Sequence, residues 1–359
     1  MTMPIAPNGT RVSYSYRVEA LDWQRGLLAL SIMIYHLMFW HGETTTASSV
    51  IGRLGIYAVS MFFVLSGLSM AIAHERYELT IKSSIQFYIR RIFRIWPLLW
   101  LAIFAVTAKS LLLKNEDISI YKILLNLTTA FGFIEPSAYL NTGAWSIGNE
   151  MVYYALTPII LVIYRRSVTG GNILALASIA IGGVYALNLL TPAQPLELQW
   201  NTYIHPLNNL FFYVMGVAIY YNAKHLKPQL ALPAACIFLS ACIFAIFPSG
   251  SDNSSIVTSL NRLVFSSASV LMVFGFFKIT PILSKTLSSP LERLGIITYG
   301  VYLLHPIVNS AVTMLFARLD WQLGAPTRIL IISLATIAVA NIAYELIEKP
   351  MIRLGKKLA

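Results

Sequence analysis

The chain has 359 residues, of which 57% are hydrophobic and 11% charged. A soluble domain carries about 25% charged residues, so this composition excludes a soluble globular protein with a charged skin. The net charge of +11 comes from short basic clusters between apolar runs; that excludes a nucleic-acid partner and fits residues that orient a protein in a bilayer.

In chain order, the first residues, with Asn8, Gly9, Ser13, Ser15 and Arg17, are polar and lack the apolar core of a cleavable signal peptide. They predict a short cytoplasmic tail ahead of a first helix that is retained. Apolar runs of roughly twenty residues span a bilayer, and ten such runs are predicted to cross: 21–41, 51–74, 92–113, 145–164, 172–190, 205–221, 229–247, 259–277, 294–316 and 327–347. A weaker apolar stretch, 121–134, is expected to form an interfacial or re-entrant helix. Cys236 and Cys242 share one apolar run and offer neither a disulfide framework nor metal-ligand spacing. Asn8-Gly-Thr, Asn126-Leu-Thr and Asn253-Ser-Ser match the glycosylation sequon, which a chain of this length shows by chance. With no repeat or long linker, residues 1–359 are read as a single membrane domain. The fold class expected is an all-α integral membrane protein, a bundle of about ten transmembrane helices.

Orientation follows from the basic residues. With the N-terminus inside, 19 of the 26 Lys and Arg fall in cytoplasmic segments, from Arg11, Arg17 and Arg25 through Arg76, Arg165 and Lys224 to Lys357. The predicted external loops 42–50, 191–204 and 248–258 contain none. This bias is the positive-inside pattern and places both termini in the cytoplasm.

Ionisable groups inside spans are costly and call for a partner, a cavity or a function. Arg25 and His36 lie eleven residues apart in the first run, about three helical turns, so they share a face roughly 16 Å apart along the axis. His36 is placed deep in the outer half, where a neutral imidazole accepts a proton; a packed histidine is the plainer alternative. Arg90, Arg91 and Arg94 precede Pro97 at the expected cytoplasmic start of the third span. Three guanidiniums at a helix N-terminus suit a phosphate, or anchor the helix at lipid head groups. Trp145, Ser146 and Glu150 open the fourth span, with Glu150 at a depth similar to that of His36. Tyr299 and His305 lie in the ninth span, with Pro306 loosening the backbone ladder. A hinge, a second polar lining or simple helix packing all suit that segment. His41, His74, His205 and His225 fall at span ends or in loops.

A phosphate cradle and a deep histidine at this spacing describe a donor that is anionic at one end and reactive at the other, as acyl-coenzyme A is. In this reading the pantetheine arm lies in a channel from the arginines to His36, which acts as general base on an acceptor hydroxyl. Glu150 orients His36 or the acceptor, and Ser66 or backbone groups steady the oxyanion.

The same segments resemble the acyltransferase-3 family of membrane acyltransferases over nearly the whole chain. Leu21-Asp-Trp-Gln-Arg25-Gly is similar to the family's LDGLRG, and Arg25 to His36 to its arginine, ten residues, histidine motif. Phe62-Phe-Val-Leu-Ser66-Gly67, Arg91-Ile-Phe-Arg94, Trp145-Ser-Ile-Gly-Asn-Glu150, Tyr299-Gly-Val-Tyr-Leu-Leu-His305 and Glu348-Lys-Pro350 follow in the family's order. The resemblance implies His36 and Glu150 as catalytic and Arg25, Arg91 and Arg94 as binding the donor, and the three-arginine cluster adds Arg90 to the donor site. Ser66, Trp145, Ser146, Tyr299 and His305 are candidate lining residues, and no metal is expected. It further implies acyl-coenzyme A, typically acetyl-coenzyme A, as donor, a glycan or lipid-linked sugar as acceptor, and the bacterial inner membrane as location. The chain looks like the family's stand-alone form, without an SGNH hydrolase-like domain. Trp23, Gln24 and Leu68 depart from the usual residues and are expected to tune the channel. The competing reading is a secondary transporter or polysaccharide flippase. It predicts inverted repeats, which the sequence does not display, and gives three clustered arginines no role. The acceptor, the acyl chain, direct transfer against an acyl-histidine relay, and the oligomeric state stay open.

Overall fold

The structure, a computed structural model, describes residues 18–75, 80–114, 117–281 and 283–359. Asn8, Gly9, Arg11, Ser13, Ser15, Arg17 and Arg76 lie outside the described residues. Long helices run α1 (Glu19–Trp40), α2 (Val50–His74) and α3 (Ile81–Lys109), followed by the short α4 (Ile120–Leu127) and α5 (Phe131–Ile134). Then come α6 (Trp145–Arg166), α7 (Val168–Val184), the single turn α8 (Trp200–Tyr203), α9 (Pro206–Ala223), α10 (Ala231–Ile246) and the single turn α11 (Ser254–Val257). The chain finishes with α12 (Ser259–Lys278), α13 (Lys285–Ile296), α14 (Thr298–Arg318), α15 (Ala325–Ala343) and α16 (Lys349–Leu358). Side-chain caps mark several starts: Ser49 accepts from the Gly52 N–H, Ser167 from the Gly170 N–H, and Thr80 with Ser83 forms a capping box.

Seven helical segments are long and apolar enough to cross a membrane, and no strand occurs among the described residues. Their outward faces are apolar: Phe104 is 72% exposed, Leu176 64% and Leu260 65%. In water such a surface drives association, whereas lipid is its natural solvent. The chain is an all-α integral membrane protein that crosses the bilayer several times. Helices occur at all ten predicted positions, but α1 and α9 fall short of the apolarity of the rest and α10 of their length. Glu19, Asp22 and Arg25 charge the first turns of α1, Asn208, Asn209 and Asn222 dilute α9, and α10 has only 16 residues.

Two expectations change. The third helix begins at Ile81 rather than at residue 92, because Lys82, Ser83, Ser84 and Gln86 give its first turns a polar surface that an apolar measure overlooks. The stretch 121–134 becomes two short helices folded onto the bundle. Asn126, fully buried, donates to the Lys122 and Ala138 carbonyls and accepts from the Leu140 N–H. That sequon is therefore inaccessible to a glycan.

Helices α2 and α9 pack closely because neither carries a side chain at the crossing. A Cβ on Gly67 would sit 2.0 Å from the Tyr213 carbonyl oxygen, and one on Gly216 2.0 Å from that of Val64. Gly67→Ala must push two backbones apart; a loss of roughly 1–3 kcal/mol is expected from overpacking, read as a lower midpoint of thermal unfolding in detergent.

One end of the bundle gathers the basic residues. There Lys224 pairs with Glu75 at 2.8 Å, Lys278 donates to the Leu226 carbonyl at 2.8 Å, Arg165 donates to the His74 carbonyl, and Arg293 pairs with Glu345 at 2.9 Å. Loops 42–50 and 248–258 meet at the other end, where the Ala47 N–H donates to the Ser251 carbonyl at 3.0 Å.

Candidate active site

At the end away from the basic cluster, a cavity of about 620 Å³ opens between α1, α2, α6, α14 and the loops before α2, α9 and α12. Gly143, with φ +83°, turns the chain into α6 at its edge. The Gly143 carbonyl accepts from the Tyr302 hydroxyl at 2.8 Å and the Ser146 hydroxyl at 3.0 Å. A side chain at 143 would meet Tyr302 and is disfavoured by the left-handed backbone.

His36 lines this cavity, and its Nδ1 lies 2.9 Å from Nε2 of His305, fully buried on α14. Nδ1 of His305 faces the Val301 carbonyl at 3.2 Å, with the Tyr302 carbonyl also in range. Pro306 supplies no N–H to the Tyr302 carbonyl, which leaves that oxygen open to the ring. Carbonyls only accept, so His305 carries its proton on Nδ1 and a neutral ring presents Nε2 as an acceptor. His36 must then donate from Nδ1, which leaves a lone pair on its own Nε2. Trp40 stacks on His36, with centroids 5.2 Å apart and planes at 12°, and holds the ring in place.

Glu150 is not the partner of His36. Its Oε1 accepts from Ser66 at 2.6 Å and from Tyr154, one turn along α6, at 2.5 Å. The expectation that Glu150 orients His36 is replaced by His305. Ser66, whose hydroxyl is spent on Glu150, does not support the oxyanion assignment. Trp145 lines the cavity, and Ser146 lies beside it with its hydroxyl 2.8 Å from that of Tyr302.

The arginines follow at the basic end. Arg25 is held by Asp22 at 2.7 Å and Ser69 at 2.5 Å. Arg91 lies over the rings of Phe87 and Tyr154, 5.7 and 5.5 Å from their centroids. Arg90 is half-buried, whereas Arg94 is exposed, in electrostatic range of Arg25 and of Glu348. Because α3 starts at Ile81, these arginines sit mid-helix, beyond the first turn in which the helix dipole attracts anions. Their attraction for a phosphate comes from the guanidiniums alone. Tyr299 donates to the Ile95 carbonyl at 2.8 Å, joining α14 to α3 beside them. Trp23, Gln24 and Leu68 are buried and line none of the cavity. Among the described residues no group of three or more His, Cys, Asp or Glu could hold a metal ion.

The sequence reading singled out no role for Tyr154, and quoted Glu348 only as part of the Glu348-Lys-Pro350 segment. Tyr154 was visible as the residue four beyond Glu150. Glu348, 3% exposed, ends a π-helical turn, Tyr344–Glu348, between α15 and α16, and no local pattern signals a π turn.

The acyltransferase domain family matches residues 18–345, nearly the whole of the described chain. The chain belongs to the acyltransferase-3 family. Among its relatives is the exopolysaccharide production protein ExoZ of Rhizobium meliloti (strain 1021), 27% identical over 89% of this chain and 96% of that protein. A putative acetyltransferase, ORF330, of Acidianus two-tailed virus is 26% identical over 83% of this chain and 84% of its own length. The peptidoglycan O-acetyltransferase OatA of Listeria monocytogenes serovar 1/2a (strain ATCC BAA-679 / EGD-e) is 25% identical over 96% of this chain and 57% of OatA. No solved structure matches. Acyltransferase-3 membership makes acyl transfer the chemistry against which the histidine pair is to be judged.

Proposed function

We propose that this protein is a membrane O-acyltransferase that moves an acyl group, typically acetyl, from acyl-coenzyme A to a hydroxyl of a cell-surface or exported glycan. The observation that carries this reading is His36 on the wall of a cavity, eleven residues along α1 from Arg25 and backed by the buried His305. Relatives named for exopolysaccharide production and peptidoglycan O-acetylation support the acceptor class.

In this reading the chain is one membrane domain with ten spans and both termini cytoplasmic, in the bacterial inner membrane. The donor's phosphates meet Arg94, with Arg90 and Arg91 behind it, and Arg25 braces α1 against α2. His36 Nε2 takes the proton of the acceptor hydroxyl as its oxygen attacks the thioester carbonyl. The new C–O bond forms, the C–S bond breaks, and the thiolate of coenzyme A takes the proton from His36. Glu150, with Ser66 and Tyr154, stands between the arginines and the cavity and positions the arm.

The test is acyl-coenzyme A binding and turnover by the purified protein. Arg94→Ala is expected to weaken donor binding about tenfold, the scale of one charge-assisted phosphate contact, with a correspondingly flatter dependence on salt. Wild-type protein that neither binds nor turns over any acyl-coenzyme A would move the transporter or flippase reading ahead.

A further inference from the structure

The mouth of the cavity is built from the three loops that contain no Lys or Arg, 42–50, 191–204 and 248–258. Each contributes one carboxylate to the lining: Glu43, Glu197 and Asp252. All three residues are exposed, so their charges face whatever enters. Among the described residues no Lys or Arg lines the cavity. Two arginines lie behind its walls and are bonded there. Arg53 is buried and donates to the Ala47 and Phe244 carbonyls and to Ser249. Arg262 is buried behind the Tyr203 ring, 6.0 Å from its centroid, and bonded to Asn208 and Asn209. Below the carboxylates the walls are aromatic, with Trp40, Trp145 and Trp200 offering flat apolar faces beside His36. Such faces stack on the C–H face of a sugar ring, and a 620 Å³ volume suits a small ligand rather than a chain surface.

We infer that this cavity is the acceptor site and that it selects an uncharged or amine-bearing sugar against a uronate or other anionic sugar. The inference rests on the acyltransferase reading above and adds the substrate class to it. Three like charges around a concave mouth with low-dielectric walls focus a negative potential. A carboxylate on the incoming sugar meets that potential before its hydroxyl reaches His36, and selectivity arises from repulsion as much as from attraction.

The test compares two probes on the full chain in nanodiscs of zwitterionic lipid, without donor: a glucose tetrasaccharide and the matching glucuronate tetrasaccharide. Saturation-transfer NMR is expected to give glucuronate binding about tenfold weaker than glucose at low salt, the gap closing as salt screens the mouth. In the Glu43→Gln/Glu197→Gln double variant the ratio is expected to fall to within about twofold, and in Glu43→Lys/Glu197→Lys to invert. Both positions are exposed, and thermal unfolding of each variant confirms its fold. Equal or tighter glucuronate binding by the wild type, a gap that persists in the double variant, or binding of neither probe overturns the inference. Because no donor is present, loss of the charge preference and absence of acyl transfer register separately.

Discussion

His36→Ala is expected to cut acyl transfer by about 10³-fold, within the range that a positioned general base supplies, while donor affinity and thermal stability stay near those of the wild type. His36 lines an open cavity rather than a packed core, so its truncation enlarges existing space instead of creating a sealed void. The donor's phosphates are assigned to the opposite end of α1, which separates the two effects: His36→Ala lowers kcat, Arg94→Ala raises KM for the donor. His36→Gln sharpens the result, since glutamine can keep the bond to His305 but cannot shuttle a proton at neutral pH. Full transfer by either variant onto a verified acceptor would remove His36 from the mechanism.

The parts of this site that lay within one helix were legible in the sequence, and those that joined helices were not. Helical spacing puts Arg25 and His36 on one face of α1, and in the structure His36 lines the cavity. The pairing of His36 with His305 spans 269 residues, and no periodicity carries that information. Glu150 was placed at the depth of His36 from helix length alone. Its rotation about α6 depends on how α6 packs against α2, and that packing aims it at Ser66. The dipole argument for Arg90, Arg91 and Arg94 failed for a similar reason. Hydropathy marks where lipid begins, whereas capping by Thr80 marks where the helix begins, and the two differ whenever the first turns stand in water. The α4–α5 excursion was visible only as weak apolarity, because Asn126, the residue that ties it down, reads as a loop residue in sequence.

The role of His305 yields the second large effect. If it fixes the tautomer of His36, then His305→Ala frees Nδ1 of His36 and lets the proton move to Nε2, the position from which the base must act. A drop in kcat of about 10²–10³-fold is expected, since misplacing the tautomer of a catalytic histidine removes most of its contribution. His305→Gln separates positioning from bulk. A glutamine amide oxygen can accept from His36 Nδ1 while its NH₂ donates to the Val301 carbonyl, reproducing the polarity of the native chain of bonds. Recovery in His305→Gln to within about tenfold of wild type, with KM for acyl-coenzyme A unchanged in both variants, identifies His305 as a positioning residue. A merely packing role predicts the reverse order, with glutamine no better than alanine and both lowering thermal stability. Equal loss in the two variants with stability intact would instead require the imidazole of His305 itself to carry a proton during transfer.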